Sequence, residues 1–128
     1  MPPGRRYDGF VPGRHLIDAY GAGGFRFADM SHRGSILALP SGIRAWDVRS
    51  AADFSEAAFA PVLAEAADID VLLIGTGSDP ALLPETLRRL FREAGIGVDP
   101  MQTGAAARTY NVLAAENRKV AAALVAVA

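Results

Sequence analysis

In the second half of the chain, the spacing of apolar residues changes repeatedly between the pattern of a strand and the pattern of a helix. This predicts strands and helices in alternation. Residues 69–74 contain the unbroken apolar run VLLI, which is typical of a strand covered on both faces. Apolar residues then recur at helical spacing over 80–94. A second strand is expected over 96–101, a helix over 103–116 and a last strand over 119–128. This β-α-β-α-β order predicts a mostly parallel sheet.

The ends of these helices carry recognisable signals. Asp79 is a good N-cap, and Pro80 suits the first helical position. Gly95 can close this helix in a left-handed conformation, and Asn117 can close the next one in the same way. Thr103 is expected to cap the second of these helices through its hydroxyl group.

The first half of the chain reads as short strands with tight turns. The segments 15–20, 25–27, 35–39 and 43–48 contain alternating or continuous apolar residues. The sequence GAGG at 21–24 can reverse the chain because glycine tolerates positive φ. This half is therefore predicted to be an antiparallel meander.

Two further segments complete the organisation. Residues 1–14 are rich in proline and glycine and predict a flexible arm, ordered where Phe10 and Val11 dock. Residues 15–128 are predicted to form a single domain, a usual size for one core. Residues 53–67 are predicted to be helical, with Asp53 and Glu56 as a capping box, although Pro61 argues against one long helix unless it lies in the first turn.

Composition and charge exclude several classes of function. The net charge is −1, and neither half of the chain has the basic excess that nucleic-acid binding needs. The chain has no cysteine, which excludes disulfides, thiolate catalysis and cysteine-ligated metals. No apolar run is long enough for a membrane span, and the first residues lack the apolar core of a secretory signal. We therefore expect a cytoplasmic bacterial protein without cofactor or metal.

The strongest local candidate for a binding site is the turn Gly75–Asp79. It follows a buried strand and precedes a helix, where free N–H groups can hold an anion. Pro80 occupies the third glycine position of GxGxxG, and no P-loop lysine is present. A tight strand-to-helix turn without a ligand is the alternative.

A second candidate lies at the start of the next helix, which we expect to open toward the same crevice. Arg108 could pair with a carboxylate or phosphate there. In the alternative reading, Tyr110 and Leu113 pack inward while Arg108 and Glu116 stay in solvent or pair locally. The candidate ligand-binding residues are Gly75, Thr76, Gly77, Ser78, Thr103, Gly104, Arg108, Tyr110 and Asn111.

The sequence offers no catalytic signature. Asp29, Ser31 and His32 are close along the chain, but a triad is defined by geometry and not by proximity. No catalytic or metal-binding residues are assigned, and a non-enzymatic role is favoured over an enzymatic one. Trp46 fits either the core or a partner surface.

The segments VLLIGTG (71–77), GIGVDPMQTGAAARTYNVLAAENR (95–118) and VAAALV (120–125) resemble the Mth-domain family of small uncharacterised proteins. The stretches YGAGGFRF (20–27) and RGSILALPSGIRAW (33–46) agree with it as well. The most specific string is TGAAARTYN. Ala107 stands where relatives often have cysteine, and Asn117 where they often have glycine.

The resemblance implies a three-layer α/β fold with a mixed, mostly parallel central sheet and a β-rich side layer. Because the family includes an assembly factor of mitochondrial complex I, it also implies an assembly or interaction role. A domain that binds a small anion or nucleotide at the two helix starts is the alternative. An enzyme using Thr or Tyr hydroxyl groups with Arg108 ranks last.

Overall fold

The computed structural model describes residues 8–128, which form nine strands arranged in two sheets. The larger sheet has six strands in the order β1-β6-β5-β9-β7-β8, and the smaller has the order β2-β3-β4. The strands are β1 Phe10–Pro12, β2 Ala19–Gly21, β3 Gly24–Phe27, β4 Met30–Arg33, β5 Ser35–Leu39, β6 Gly42–Trp46, β7 Val71–Gly75, β8 Gly97–Met101 and β9 Val120–Leu124. The helices are α1 Ala60–Ala64, α2 Glu85–Glu93 and α3 Thr103–Ala115.

The predicted strands β7, β8 and β9 are confirmed and are parallel to one another, but the large sheet is not mostly parallel, because three of its five strand pairings are antiparallel. β7 pairs in parallel with both β8 and β9, while β9 pairs with β5 in antiparallel fashion. All residues of β9 are buried, as expected for a strand with neighbours on both sides and cover on both faces. The fold is therefore mixed α/β, with a six-stranded mixed sheet and a smaller antiparallel sheet beside it.

The large sheet separates two apolar cores. On one face, Phe59 and Phe91 meet edge to face at 5.2 Å, and Trp46 stacks against the same cluster. The other face packs against α3 and the small sheet through residues such as Phe27 and Tyr110. This arrangement gives the layers that the family resemblance implied. Trp46 belongs to the core, and its indole N–H donates to the Ala58 carbonyl oxygen at 2.7 Å.

Residues 53–67 do not form one continuous helix, as Pro61 indicated, and the predicted capping box of Asp53 and Glu56 is wrong. The segment contains only short 3₁₀ turns and the five-residue helix α1, with Pro61 in the first turn of α1. The capping box is formed by Ser50 and Asp53, one turn earlier than predicted. Because proline cannot donate to the preceding turn, Pro61 begins a new helix instead of continuing one.

The start of α2 also differs from the prediction. The helix begins at Glu85 after Pro84, and residues 78–84 are irregular. Proline disfavours helical geometry in the residue before it, so Leu83 cannot continue a helix from Pro80 into Pro84. The predicted helix ends are confirmed, since Gly95 and Asn117 have φ values of 78° and 60°.

The N-terminal arm contributes an outer strand. Phe10 and Val11 dock as expected, and β1 pairs with β6 from Phe10 to Pro12. The Phe10 ring lies 5.5 Å from the Arg44 guanidinium carbon, a cation–π distance. Residues 1–7 of the predicted arm lie outside the described part of the chain. At the opposite edge, β8 contains Pro100 at an outer position, as its sequence indicated.

Candidate functional site

The two predicted candidate sites, the turn Gly75–Asp79 and the start of α3, lie against each other at the carboxyl end of β7. We call them the first bend and the second bend. Gly75 ends the strand, and α3 begins directly above it. A methyl group on Gly75 would lie 2.9 Å from the Thr103 α-carbon and 2.9 Å from its hydroxyl oxygen. Gly75 is therefore required for the close approach of strand and helix, whereas the sequence suggested it only as part of an anion-binding turn.

Thr103 joins three segments through one buried hydroxyl group. Its Oγ1 donates to the Val125 carbonyl oxygen at 2.7 Å and accepts from the Gly77 N–H at 3.0 Å. The Thr103 N–H in turn donates to the Gly77 carbonyl oxygen at 2.9 Å. Thr103 was predicted to be the N-cap of α3, but Gln102 occupies that position without a side-chain capping bond. The threonine anchors the helix to the sheet.

Several other polar groups of the first bend also have protein partners. The Thr76 N–H donates to the Met101 carbonyl oxygen at 2.8 Å, and the Thr76 hydroxyl lies 2.8 Å from the Asp79 carbonyl oxygen. Ser78 is exposed, and its carbonyl oxygen accepts from the Gln102 side chain at 3.4 Å. The N–H groups of Thr76 and Gly77, which were candidates for holding an anion, are thus engaged within the protein.

Farther along α3, the candidate residues contact the segment before β2 instead of the first bend. The Asn111 side chain accepts from the Ile17 N–H and donates to the Ile17 carbonyl oxygen, both at 2.8 Å. This reciprocal pair imitates a β-ladder contact and holds the extended segment against the helix. Asn111 therefore has a structural partner on both of its polar atoms.

We expect Asn111→Ala to lower the free energy of unfolding by about 1–2 kcal/mol, because both peptide groups of Ile17 lose a partner. Denaturant titration measures the loss. The control is Val112→Ala, which truncates the next side chain, 58% exposed, and should change stability by less than about 0.5 kcal/mol. Equal stability of the two variants would contradict the anchoring role.

Tyr110 is buried under the same segment. Its hydroxyl donates to the His15 carbonyl oxygen at 3.3 Å. Burial raises the pKa of Tyr110 above its usual value of 10.0, and the nearby Arg14 offsets part of that rise. The predicted inward packing of Tyr110 is thus confirmed, whereas Arg108 is exposed.

The raised pKa of Tyr110 predicts a loss of stability in alkali. Above pH 10.0 the unfolded chain loses the phenolic proton while the folded chain retains it, so the free energy of unfolding falls as pH rises. Tyr110→Phe should make that decline shallower, at a cost of about 1 kcal/mol near neutral pH. Urea denaturation across this pH range tests the expectation, and parallel curves for the parent and the variant would contradict it.

Gly104 and Arg108 meet Tyr20 of β2 on the outer side of α3. A side chain at Gly104 would overlap the Tyr20 hydroxyl group, and Arg108 donates to that hydroxyl at 3.3 Å. A depression of about 330 Å³ lies beside this contact. Its walls are Ile17, Asp18, Ala19, Tyr20, Ala107, Arg108 and Asn111. The predicted residues thus divide into two groups, one at the corner of β7 and one facing residues 17–20.

The small sheet carries a polar face that sequence reasoning did not assign. Arg26, Ser31 and Arg33 are exposed on β3 and β4, and the Arg26 guanidinium donates to the Ser31 hydroxyl at 2.6 Å. A depression of about 530 Å³ lies over this sheet. The alternation of buried Phe25 and Phe27 with exposed Arg26 was visible in the sequence, but it was interpreted only as a strand signal.

Among residues 8–128, no three histidine, aspartate or glutamate side chains converge to hold a metal ion. Ser31 and His32 are neighbours on β4, and their side chains therefore point to opposite faces of the small sheet. The His32 Nε2 atom lies 3.2 Å from the Ser35 carbonyl oxygen. The sequence neighbours Asp29, Ser31 and His32 do not have the geometry of a triad.

Comparison with known protein families identifies one that matches most of the chain. The family described as protein of unknown function (DUF498/DUF598) matches residues 17–125. The chain belongs to this family. The DUF498/DUF598 match includes both bends and the whole of α3, which confirms the resemblance seen in the sequence.

Among curated members, an uncharacterized protein of Rhodobacter capsulatus is 40% identical over 93% of this chain and 90% of its own length. The NADH dehydrogenase [ubiquinone] 1 alpha subcomplex assembly factor 3 of Drosophila melanogaster is 34% identical over 86% of this chain and 58% of its own length. The chain therefore spans about six tenths of that assembly factor.

Solved structures of similar proteins agree with the fold. An outer membrane protein from Bartonella henselae is 56% identical with a TM-score of 0.88, over 91% of this chain and 98% of its own. A Mth938-like domain protein from Bordetella pertussis is 30% identical with a TM-score of 0.77, over 88% of this chain and 85% of its own. Within residues 8–128, no helix has the length and apolar character needed to cross a bilayer.

Proposed function

We propose that this protein is a non-enzymatic interaction module that assists the assembly of respiratory complex I. The observation that carries the proposal is the 34% identity to a complex I assembly factor over 86% of the chain. The match includes the core of the domain, so the two proteins share more than a short motif.

The side-chain contacts of the motif TGAAARTYN, at residues 103–111, also favour a non-enzymatic role. The polar side chains of Thr103, Tyr110 and Asn111 bond to backbone groups of the protein itself. Catalytic hydroxyl groups are usually placed beside a general base in a concave site. Here the motif instead fixes α3 between the large sheet and the segment before β2.

Deletion of the gene in the native host tests the proposal. We expect less assembled complex I on native gels and slower rotenone-sensitive NADH oxidation by isolated membranes. Succinate oxidation should be unchanged, because it bypasses complex I. Expression of the parent chain should restore the complex. Normal complex I content in the deletion strain would overturn the respiratory role.

A small anion at the two bends is the second candidate, and the contact between Gly77 and Thr103 supports it by bringing the bends together. The engagement of their N–H groups argues against tight binding. A ligand at a hundred times its Kd would add about 2.7 kcal/mol to stability. Thermal-shift screening with nucleotides and phosphates therefore separates this candidate from the assembly role.

A cytoplasmic location is part of the primary proposal, and cell fractionation tests it.

A further inference from the structure

The depression over the small sheet has a structural cause. The register places Ala19, Arg26 and Ser31 side by side across β2, β3 and β4, and it places Gly21, Gly24 and Arg33 side by side in the next row. Because side chains alternate between faces, all six residues belong to the same face. Four of these residues are small and leave open space above β2. The side chains of the two arginines lie beside this space. Gly24 has no room for a side chain, because a methyl group there would overlap the His32 carbonyl oxygen.

The two arginines of this face carry uncompensated charge. Arg26 and Arg33 are diagonal neighbours, which places their α-carbons roughly 7–8 Å apart. Neither forms an ion pair with a carboxylate of residues 8–128, whose ion pairs are Glu85–Arg92 and Glu116–Arg118. Among residues 8–128, no acidic residue lines the depression. Two like charges held together without a counter-charge favour a negatively charged occupant.

A second depression extends the surface beyond Arg33. It has a volume of about 410 Å³ and shares His32 and Arg33 with the first. Arg49 lies in its wall, with Asp47 as the one acidic residue there. The two adjoining depressions therefore present three arginines in succession. We name this surface the arginine groove, defined by Arg26, Arg33 and Arg49.

The shape of the arginine groove selects the kind of anion. Its three arginines are exposed, and a single exposed ion pair contributes little to binding. A small anion would therefore bind weakly. An extended chain advances roughly 3.3 Å per residue and can place several carboxylates along both depressions at once. Simultaneous contacts raise the affinity well beyond that of one pair.

We infer that the arginine groove binds an extended acidic segment of a partner protein. The inference rests on the proposed function, because it identifies the surface through which an interaction module would hold its partner. It involves residues of β3, β4 and the segment after β6, and none of the candidate residues at the helix starts.

Titration with an acidic peptide, followed by amide NMR, tests the inference. The probe is a peptide of about ten residues with alternating glutamate and threonine, roughly 33 Å long when extended. We expect shifts confined to residues 19–26, 31–35 and 45–49. The variant Arg26→Glu/Arg33→Glu should weaken binding at least about tenfold. A peptide with lysine in place of glutamate should not bind.

The matched control is Arg89→Glu/Lys119→Glu, which changes the net charge by the same amount at exposed positions outside the groove. It should retain the affinity of the parent chain to within about twofold. Equal weakening in both double variants would mean general charge attraction and would overturn the inference. Absence of binding to the parent, or displacement of the peptide by inorganic phosphate at equal concentration, would overturn it as well.

Complementation separates this inference from the proposed function. In the deletion strain, Arg26→Glu/Arg33→Glu should fail to restore complex I, whereas the control double variant should restore it. Full restoration by the groove variant would overturn the groove and leave the assembly role standing. If deletion does not affect complex I, the assembly role fails, and the peptide titration alone decides whether the groove binds acidic segments.

Discussion

Thr103→Val is expected to lower the free energy of unfolding by about 2–4 kcal/mol, although valine has nearly the same shape as threonine. The change removes the hydroxyl that donates to the Val125 carbonyl oxygen and accepts from the Gly77 N–H. Thr103 is completely buried, so water cannot replace the lost partners unless α3 separates from the carboxyl end of β7. Urea denaturation measures the loss directly.

Thr109→Val is the matched control, since Thr109 lies on the same helix and its hydroxyl bonds to the Ala105 carbonyl oxygen one turn earlier. That carbonyl oxygen belongs to the helix and is reached by its backbone ladder, so the control should lose less than about 1 kcal/mol. A Thr103→Val chain as stable as the control would mean that the hydroxyl does not anchor α3.

Gly75→Ala should destabilise the fold by about 2–3 kcal/mol, against the normal preference for alanine over glycine in a strand. The added methyl group would lie 2.9 Å from the Thr103 α-carbon, which is backbone and cannot rotate away. The Leu124 side chain lies 3.1 Å from the same point and restricts movement on the other side. Either the helix shifts away from the sheet or the strand bends. Thermal unfolding should show a Tm lower by roughly 10 °C.

Gly97→Ala provides the comparison within the same sheet. A methyl group at Gly97 meets only the Asp70 carbonyl oxygen at 3.5 Å, an ordinary contact, and neither glycine has positive φ. The Gly97 substitution should be neutral or stabilise by up to about 1 kcal/mol, because alanine restricts the unfolded chain. If both substitutions had the same effect, close packing of α3 on Gly75 would not be the reason for the glycine.

The parallel half of the fold could be predicted from sequence because its signals are local and agree with one another. The VLLI run of β7, the Gly95 and Asn117 helix ends and the outer position of Pro100 each follow from a few adjacent residues. The residues at which the helices begin were harder to predict. Asp79 and Pro80 have the right residue types for a start, but Pro84 overrides them four residues later.

The candidate site illustrates what residue types alone do not determine. The motif from Thr103 to Asn111 contains many hydrogen-bonding groups, and sequence reasoning offered them to a ligand. Their partners, Ile17 and Val125 among them, are distant along the chain and become neighbours only when the sheets assemble. The arginine groove was missed for a similar reason, because Arg26 and Arg33 come together only through the register of β3 and β4.

The prolines on the two outer strands of the large sheet have a consequence for the free protein. Pro12 on β1 and Pro100 on β8 each lack the N–H that a further strand would need to continue hydrogen bonding. A second copy of the chain therefore finds no continuous row of donors and acceptors at either edge of this sheet. The prolines thereby lower the tendency of the free protein to grow into fibrils through the edges of its large sheet, while its side-chain surfaces stay accessible.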